Sequence, residues 1–196
     1  MIKFMKKNKL FSILIIVTTV VFFLGMIFSI LLDSSIKNIV YENMNTYLEE
    51  IRNHSYSFSS LFYSSFSRIY LFIGCIWIFG ISIIGIIVSF SFYLIEIFLF
   101  SMESFYYLSK ISSLSIVFII LTLLPKMIQL LLYFFLVYYS SSFSLILFRL
   151  LFLKKNFPLK SIFKRYLVIL LIVSICSLFL IILDSFITVK ILMYFI

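Results

Sequence analysis

The sequence predicts an all-α integral membrane protein, a helical bundle with about five transmembrane helices. Of the 196 residues, 64% are hydrophobic and 12% are charged, whereas an average soluble domain is about 45–50% apolar and about 25% charged. A soluble domain of this size leaves roughly a third of its surface in water, so it could not hide so many apolar side chains. The composition excludes a soluble globule, a disordered chain and a nucleic-acid-binding domain, and it makes the lipid bilayer the expected partner.

The first predicted span covers residues 11–32, a run without a charged residue that follows four lysines and no acid in residues 1–9. About 20 helical residues cross a hydrocarbon core of about 30 Å. A cleaved signal peptide has an apolar region of roughly 7–15 residues and a cleavage site between small residues. This run is longer and offers no clean site, so we interpret it as a retained signal anchor.

The outer segment, residues 33–68, is the only long polar stretch and contains four acids and three bases. Residues 55–67 mix serine, phenylalanine and tyrosine, as expected at a membrane interface. Before them, apolar residues recur at helical spacing. They predict a short amphipathic helix on the outer membrane surface and are Ile36, Ile39, Val40, Met44, Tyr47, Leu48 and Ile51.

Four further spans are predicted at residues 69–89, 90–108, 111–148 and 166–183. The fourth region has 38 residues, which extend about 57 Å as a helix at 1.5 Å per residue. Pro125 lies inside it, and a proline lacks the N–H that a helix interior needs. We therefore expect a half-helix before Pro125 and a full span after it.

The basic residues predict the orientation. Ten of the 16 lysines and arginines lie in residues 1–9 and 149–165, neither of which contains an acid. The positive-inside rule places both segments in the cytoplasm. Five spans then place the N-terminus inside and the C-terminus outside. A six-span alternative, with the fourth region split at Pro125, would need one re-entrant piece to keep the basic loop inside.

Catalytic and metal-binding groups are scarce, so the sequence predicts no enzyme and no cofactor. His54 is the only histidine, which leaves a metal cluster or a Cys/His pair without partners. Cys75 and Cys176 lie in apolar runs and are predicted to be buried small hydrophobes rather than a disulfide. The chain contains no Walker A, HExxH or GxSxG motif.

Two glutamates in the third span are the most informative polar residues. Glu96 and Glu103 are seven residues apart and share one helix face, which Lys110 extends. Charged groups at membrane depth are costly and mark cavities, ion paths or internal pairs. Lys126 and Gln129 in the fourth region are the candidates to meet them. The pattern predicts a polar pocket or permeation path between these spans, or alternatively a structural ion pair.

Small residues in the first two spans predict close helix packing, because short side chains let helix backbones approach in lipid. We expect them to join the first span to the second, or alternatively to bind another membrane protein. These residues are Gly25, Ser29, Gly80, Ser82, Gly85 and Ser89.

The basic loop, residues 149–165, interleaves leucine and phenylalanine with six bases. Each base near an anionic leaflet contributes about 1 kcal/mol, so contact with the inner leaflet is expected. A cytoplasmic partner such as an ATPase is the alternative. The bases are Arg149, Lys154, Lys155, Lys160, Lys164 and Arg165.

The order of short motifs resembles the stage II sporulation protein M family along nearly the whole chain. Residues 23–28 read Phe-Leu-Gly-Met-Ile-Phe, and residues 77–86 read Trp-Ile-Phe-Gly-Ile-Ser-Ile-Ile-Gly-Ile, similar to the family's Gly-x-Ser-x-x-Gly signature. A Leu-Pro pair ends at Pro125, where the family has its mid-membrane proline. Residues 183–193 are similar to the family's acidic and aromatic ending.

This resemblance implies a non-catalytic scaffold in the bacterial plasma membrane that recruits or localises membrane-anchored peptidoglycan hydrolases during engulfment of the forespore. Other family members occur beside ABC-type ATPases and in bacteriocin export and immunity systems, which implies a permease-like subunit as the alternative. A scaffold would use the small residues and the outer segment. A permease would use Glu96, Glu103 and Lys126, with the basic loop docking an ATPase. A stand-alone immunity or stress protein is a third possibility.

Overall fold

Five long helices account for most of the residues that the structure describes. The computed structural model describes residues 9–32, 57–109, 116–153 and 158–190, together with residues 38, 41–43, 45–46, 49–50 and 53. The helices are α1 (Lys9–Leu31), α2 (Phe58–Gly80), α3 (Gly85–Ser109), α4 (Ile116–Leu153) and α5 (Leu159–Lys190). Each is long and apolar enough to cross a membrane. The prediction of an all-helical membrane bundle with five spans is therefore confirmed.

Helix α4 lies at the centre of the bundle and packs against each of the other four helices. Helix α2 contacts α3, α4 and α5, whereas α1 packs mainly against α3. Consecutive helices α3 and α4 run antiparallel, because Ser89 early in α3 meets Ser140 late in α4, and Glu103 late in α3 meets Lys126 early in α4. Polar side chains on both helices are thereby placed at matching depths.

The buried apolar side chains form two clusters, one in the middle of the bundle and one at one of its ends. The central cluster includes Ile76 of α2, Tyr93 of α3 and Leu136 of α4. The end cluster is smaller and includes Tyr106 and Phe118. Many large apolar side chains outside these clusters remain exposed, especially along α1. Lipid tails would cover them, so packing and hydrogen bonds between helices must hold the bundle together.

The second and third helices differ from their predicted bounds. Helix α2 begins at Phe58, earlier than the predicted residue 69, because Ser57 caps its N-terminus with a side chain that accepts from the backbone N–H of Ser60. It ends at Gly80, and residues 81–84 form a turn before α3. The predicted second span includes this turn, because the Ile-Ser-Ile-Ile sequence of the turn causes no drop in hydropathy.

The expected break at Pro125 is wrong. Helix α4 continues through Pro125 without interruption. A proline removes one backbone donor, and transmembrane helices tolerate this because nearby hydroxyl groups and neighbouring helices adjust. The 38-residue helix is therefore one element.

The basic loop is also shorter than predicted, because α4 continues to Leu153 and α5 begins at Leu159. Lys154 and Lys155 lie outside the described residues, as do Lys110 and His54. The apolar residues that predicted the amphipathic surface helix lie outside them as well. The residues described between 41 and 50 are helical.

Candidate functional site

A polar pocket of about 420 Å³ lies between α2, α3, α4 and α5. Its volume falls within the range of about 300–1,000 Å³ that is usual for small-molecule sites. Residues from all four helices contribute polar groups to its lining. They are Ser65, Arg68, Glu96, Glu103, Lys126, Gln129, Tyr133 and Asp184. The structure thus brings together the four intramembrane polar residues that the sequence singled out.

Two ion pairs cross the pocket, and each uses one of the α3 glutamates. Glu103 pairs with Lys126 of α4. Glu96 pairs with Arg68 of α2, with 3.2 Å between the carboxylate oxygen and the guanidinium nitrogen. The glutamate side chains are 19% and 16% exposed, whereas those of Arg68 and Lys126 are 72% and 41% exposed. The carboxylates are therefore fixed inside the bundle, and their bases reach in from the pocket mouth.

Gln129 forms the floor of the pocket and links α4 to α5. Its Nε2 donates to Ser177 Oγ over 3.0 Å. The residue is 8% exposed, and its Oε1 has no hydrogen-bond partner among the described residues. Burying an amide oxygen without a donor costs about 1–3 kcal/mol. This oxygen is therefore available to a bound molecule.

Asp184 lies on α5 and is the third carboxylate of the pocket. Asp184 forms no salt bridge with the described residues, although the Lys126 ammonium lies close enough to attract its carboxylate. With Arg68 and Lys126 as the bases, the pocket has three acids and two bases. Its formal charge is therefore −1 when all five groups are ionised.

Sequence reasoning missed Arg68, Tyr133 and Asp184 as members of this site. Arg68 was assigned to the outer segment, because α2 was predicted to begin after it. Tyr133 follows Gln129 by four residues and hence shares its helix face. Asp184 follows Ser177 by seven residues on α5, so the same seven-residue spacing that identified the α3 glutamates was also present there.

The small residues of the first span pack against the third span, not the second as predicted. A Cβ atom on Gly25 would lie 2.9 Å from the Cβ of Ser101 and 3.0 Å from the carbonyl oxygen of Phe98. Ser101 Oγ donates to the carbonyl of Phe22 over 2.5 Å. Ser29 Oγ donates to the carbonyl of Gly25 within α1. The close approach of α1 and α3 depends on this glycine.

The small residues around the α2–α3 turn pack against α4 and α5. A Cβ atom on Gly80 would overlap the hydroxyl groups of Ser140 and Tyr166. Ser89 Oγ and Ser140 Oγ share a hydrogen bond of 3.0 Å. Gly85 has no room for a Cβ atom, which would overlap the carbonyl of Phe79.

The turn itself is tied to α4 by a serine. Ser144 Oγ lies 2.6 Å from the carbonyl oxygen of Ser82 and 3.1 Å from that of Ile83, and donates to them. The predicted small residues are thus used in contacts within the chain.

The described bases of the predicted basic loop lie near the C-terminal end of α4 and the N-terminal end of α5. Arg149, Lys160, Lys164 and Arg165 are all exposed. Exposed apolar residues accompany them, including Phe152, which is 65% exposed. This mixture suits a surface where lipid headgroups meet the hydrocarbon core.

A second cavity, of about 480 Å³, lies between α1, α3 and α4. Its lining is almost entirely apolar, with hydroxyl groups at Thr18, Thr19 and Tyr93. Phe100 and Leu130 line both cavities and form the wall between them.

The described residues hold no group of three His, Cys, Asp or Glu side chains placed to bind a metal ion. Cys75 is half-buried and Cys176 is exposed on α5. The prediction that both cysteines are buried is therefore wrong for Cys176, because an apolar run in a membrane helix also has a lipid-facing side.

Comparisons with protein-family models, with curated proteins and with solved structures find no match to this chain. The resemblance to the stage II sporulation protein M family thus stays a prediction.

Proposed function

We propose that this protein is a permease-like membrane subunit whose polar pocket binds a substrate during export or uptake. The observation that carries the proposal is the pocket itself. Five charged side chains from four helices surround a cavity of about 420 Å³ inside a bundle of membrane-competent helices. Such groups are costly in a bilayer and are retained where a substrate, ion or proton passes.

The position of the charges supports this proposal over a purely structural pair. Glu96 lies near the middle of α3, and Glu103 lies six residues before its end at Ser109. At 1.5 Å per residue the pocket therefore reaches from mid-membrane to about 9 Å from the helix end. A structural pair needs close packing and balanced charges. This pocket instead keeps open volume and an unpaired carboxylate.

The proposed partner is a cytoplasmic ABC-type ATPase, and the proposed location is the bacterial plasma membrane. The exposed bases of α4 and α5 offer a docking surface for such a partner. An ATPase would supply the energy for transport, because the described residues provide no nucleotide-binding motif.

The test is the double variant Glu96→Gln/Glu103→Gln in the native host. Cells lacking the gene are complemented with either form, and the small molecules in cells and medium are compared by mass spectrometry. We expect the variant to reach the membrane in normal amounts yet to reproduce the profile of the deletion. A wild-type profile from the double variant would overturn the proposal.

The matched control is Glu42→Gln/Glu49→Gln. It makes the same change in charge at two exposed acids outside the pocket. We expect it to restore the wild-type small-molecule profile. Loss of function in both double variants would indicate an effect of total charge rather than of the pocket.

A scaffold for membrane-anchored peptidoglycan hydrolases is the second candidate function, favoured by the exposed first turns of α2. Phe58, Phe62, Phe66 and Tyr70 stack in series there, with ring centroids 6.0, 5.8 and 4.3 Å apart. Aromatic side chains are enriched where proteins bind one another. The three phenylalanines of this aromatic ladder belong to the outer segment, residues 33–68, that the resemblance assigns to partner binding.

Purification of the tagged protein from native membranes in mild detergent distinguishes the two candidates. A co-purified ATPase that depends on the bases of α4 and α5 would support the permease proposal. Co-purified cell-wall hydrolases, lost when Phe62 and Phe66 are changed to alanine, would support the scaffold.

A further inference from the structure

We propose that the polar pocket binds a molecule that carries a primary ammonium group, with Asp184 as its counter-ion. This inference rests on the proposed function, because it names the substrate class of the same pocket. Three independent features of the pocket point to it: the balance of charge, the hydrogen-bonding groups left over, and the shape and lining of the cavity.

The balance of charge favours a monovalent cation. Arg68 and Lys126 are each paired with a glutamate, so their charges are already matched. Asp184 adds a third carboxylate, which lies near the Lys126 ammonium already paired with Glu103 and forms no salt bridge of its own in the described residues. A buried carboxylate is stabilised by an opposite charge nearby. A ligand with one positive charge would bring the pocket to neutrality.

Beside groups that can still donate, such as the Tyr133 hydroxyl, the pocket keeps acceptors that no donor of the described residues contacts. With its Nε2 donating to Ser177, the buried Gln129 keeps Oε1 free to accept. The ionised carboxylate of Asp184 likewise has acceptors and no donor. An ammonium group has three donors and no acceptor. It can therefore satisfy both residues, whereas an anion or a simple carbonyl compound would add another acceptor.

The lining favours an organic cation over a metal ion. No group of three potential metal ligands converges within the described residues, and the volume of about 420 Å³ far exceeds that of an ion. Apolar side chains surround the polar groups, including Ile69, Leu99 and Leu180. They would cover the carbon chain of an alkylamine.

Two sources share this chemistry: a free amine, and the headgroup of phosphatidylethanolamine. The experiment uses Ser65→Cys in a chain whose native cysteines are changed to alanine. Ser65 lines the pocket, whereas Ser59→Cys is the matched control at an exposed position near the start of α2 and outside the pocket. Both proteins are reconstituted in phosphatidylcholine nanodiscs. Their labelling rates are measured with a trimethylammonium-ethyl and a sulfonato-ethyl methanethiosulfonate.

We expect the ratio of cationic to anionic labelling to be about tenfold higher at Ser65→Cys than at Ser59→Cys, because a negative cleft concentrates cations. n-Butylamine should slow labelling at Ser65→Cys, and n-butanol and butyrate should not. Asp184→Asn should reduce both the labelling ratio at Ser65→Cys and the slowing of labelling by n-butylamine. Competition by n-butylamine is measured with Asp184 intact, so it tests the proposal even if Asp184→Asn does not fold.

Equal ratios at both cysteines, or equal competition by amine, alcohol and acid, would overturn the ammonium proposal. If both reagents reach Ser65→Cys equally, the pocket is open and the permease proposal survives. If neither reaches it, both proposals fail. Protection that appears with phosphatidylethanolamine nanodiscs, before any amine is added, would identify the lipid headgroup as the source.

Discussion

Gly74 and Gly80 lie six residues apart on α2 and differ in their surroundings. No atom lies within 4 Å of a Cβ built on Gly74, whereas a Cβ on Gly80 would overlap Ser140 and Tyr166. We expect Gly80→Ala to lower the free energy of unfolding by about 1–3 kcal/mol through overpacking. Gly74→Ala should raise it by up to about 1 kcal/mol, because alanine is the better helix former.

Thermal unfolding of both variants in the same detergent checks this prediction. The expected order of midpoints is Gly74→Ala, wild type, Gly80→Ala. Adding Ser140→Ala and Tyr166→Phe to Gly80→Ala should recover part of the loss, because these changes remove the overlapping hydroxyl groups. Equal midpoints for the two glycine variants would contradict the packing described for α2.

The sequence identified the charged residues of α3, but it was less informative about the residues on other helices that pair with them. Glu96 and Glu103 were found because seven-residue spacing in an apolar helix is visible without a structure. Lys126 and Gln129 were found because they follow Pro125 closely. Arg68 could not be assigned, since its pairing with Glu96 depends on where α2 begins. Asp184 lies one residue beyond the predicted last span, residues 166–183, although the structure places it within α5.

Two neighbouring serines on α4 provide a test of how this helix holds the α2–α3 turn. Ser144 donates to carbonyl groups of the turn, whereas the buried Oγ of Ser141 has no partner in the described residues. We expect Ser144→Ala to lower the free energy of unfolding by about 1 kcal/mol. Ser141→Ala should leave it unchanged or raise it, because an unsatisfied hydroxyl is removed.

The measurement is again the unfolding midpoint in detergent, with the two alanine variants compared directly. The changes are chemically identical and lie one turn apart, so helix propensity cancels. A loss of equal size in both variants would show that the hydrogen bonds of Ser144 do not anchor the turn.

The bounds of the helices were the least predictable feature at this scale. Composition and length were sufficient for five spans, because each run is long and apolar. The turn at residues 81–84 was hidden by its own apolar side chains. The predicted break at Pro125 is wrong, since a single missing N–H does not end a helix that other helices surround on several sides.

The described residues contain five helices long and apolar enough to cross a membrane, and five crossings would place the start of α1 and the end of α5 on opposite sides. We expect the bases of α4 and α5 to lie in the cytoplasm, following the positive-inside rule. In intact cells, Ser59→Cys near the start of α2 should react with an impermeant thiol reagent, and Ser161→Cys near the start of α5 should react only after the cells are opened. Both positions are exposed. The reverse pattern would invert the orientation.

The central claim is that the charges of the pocket act on a substrate and do more than hold helices together. Exchanging the paired charges, Glu103→Lys/Lys126→Glu, keeps an ion pair between α3 and α4 but reverses its direction in the pocket. The measurement is the small-molecule profile of cells complemented with this variant, at matched membrane levels. We predict the profile of the deletion strain. A wild-type profile would contradict the account, because it would mean that the pair serves only to join the two helices.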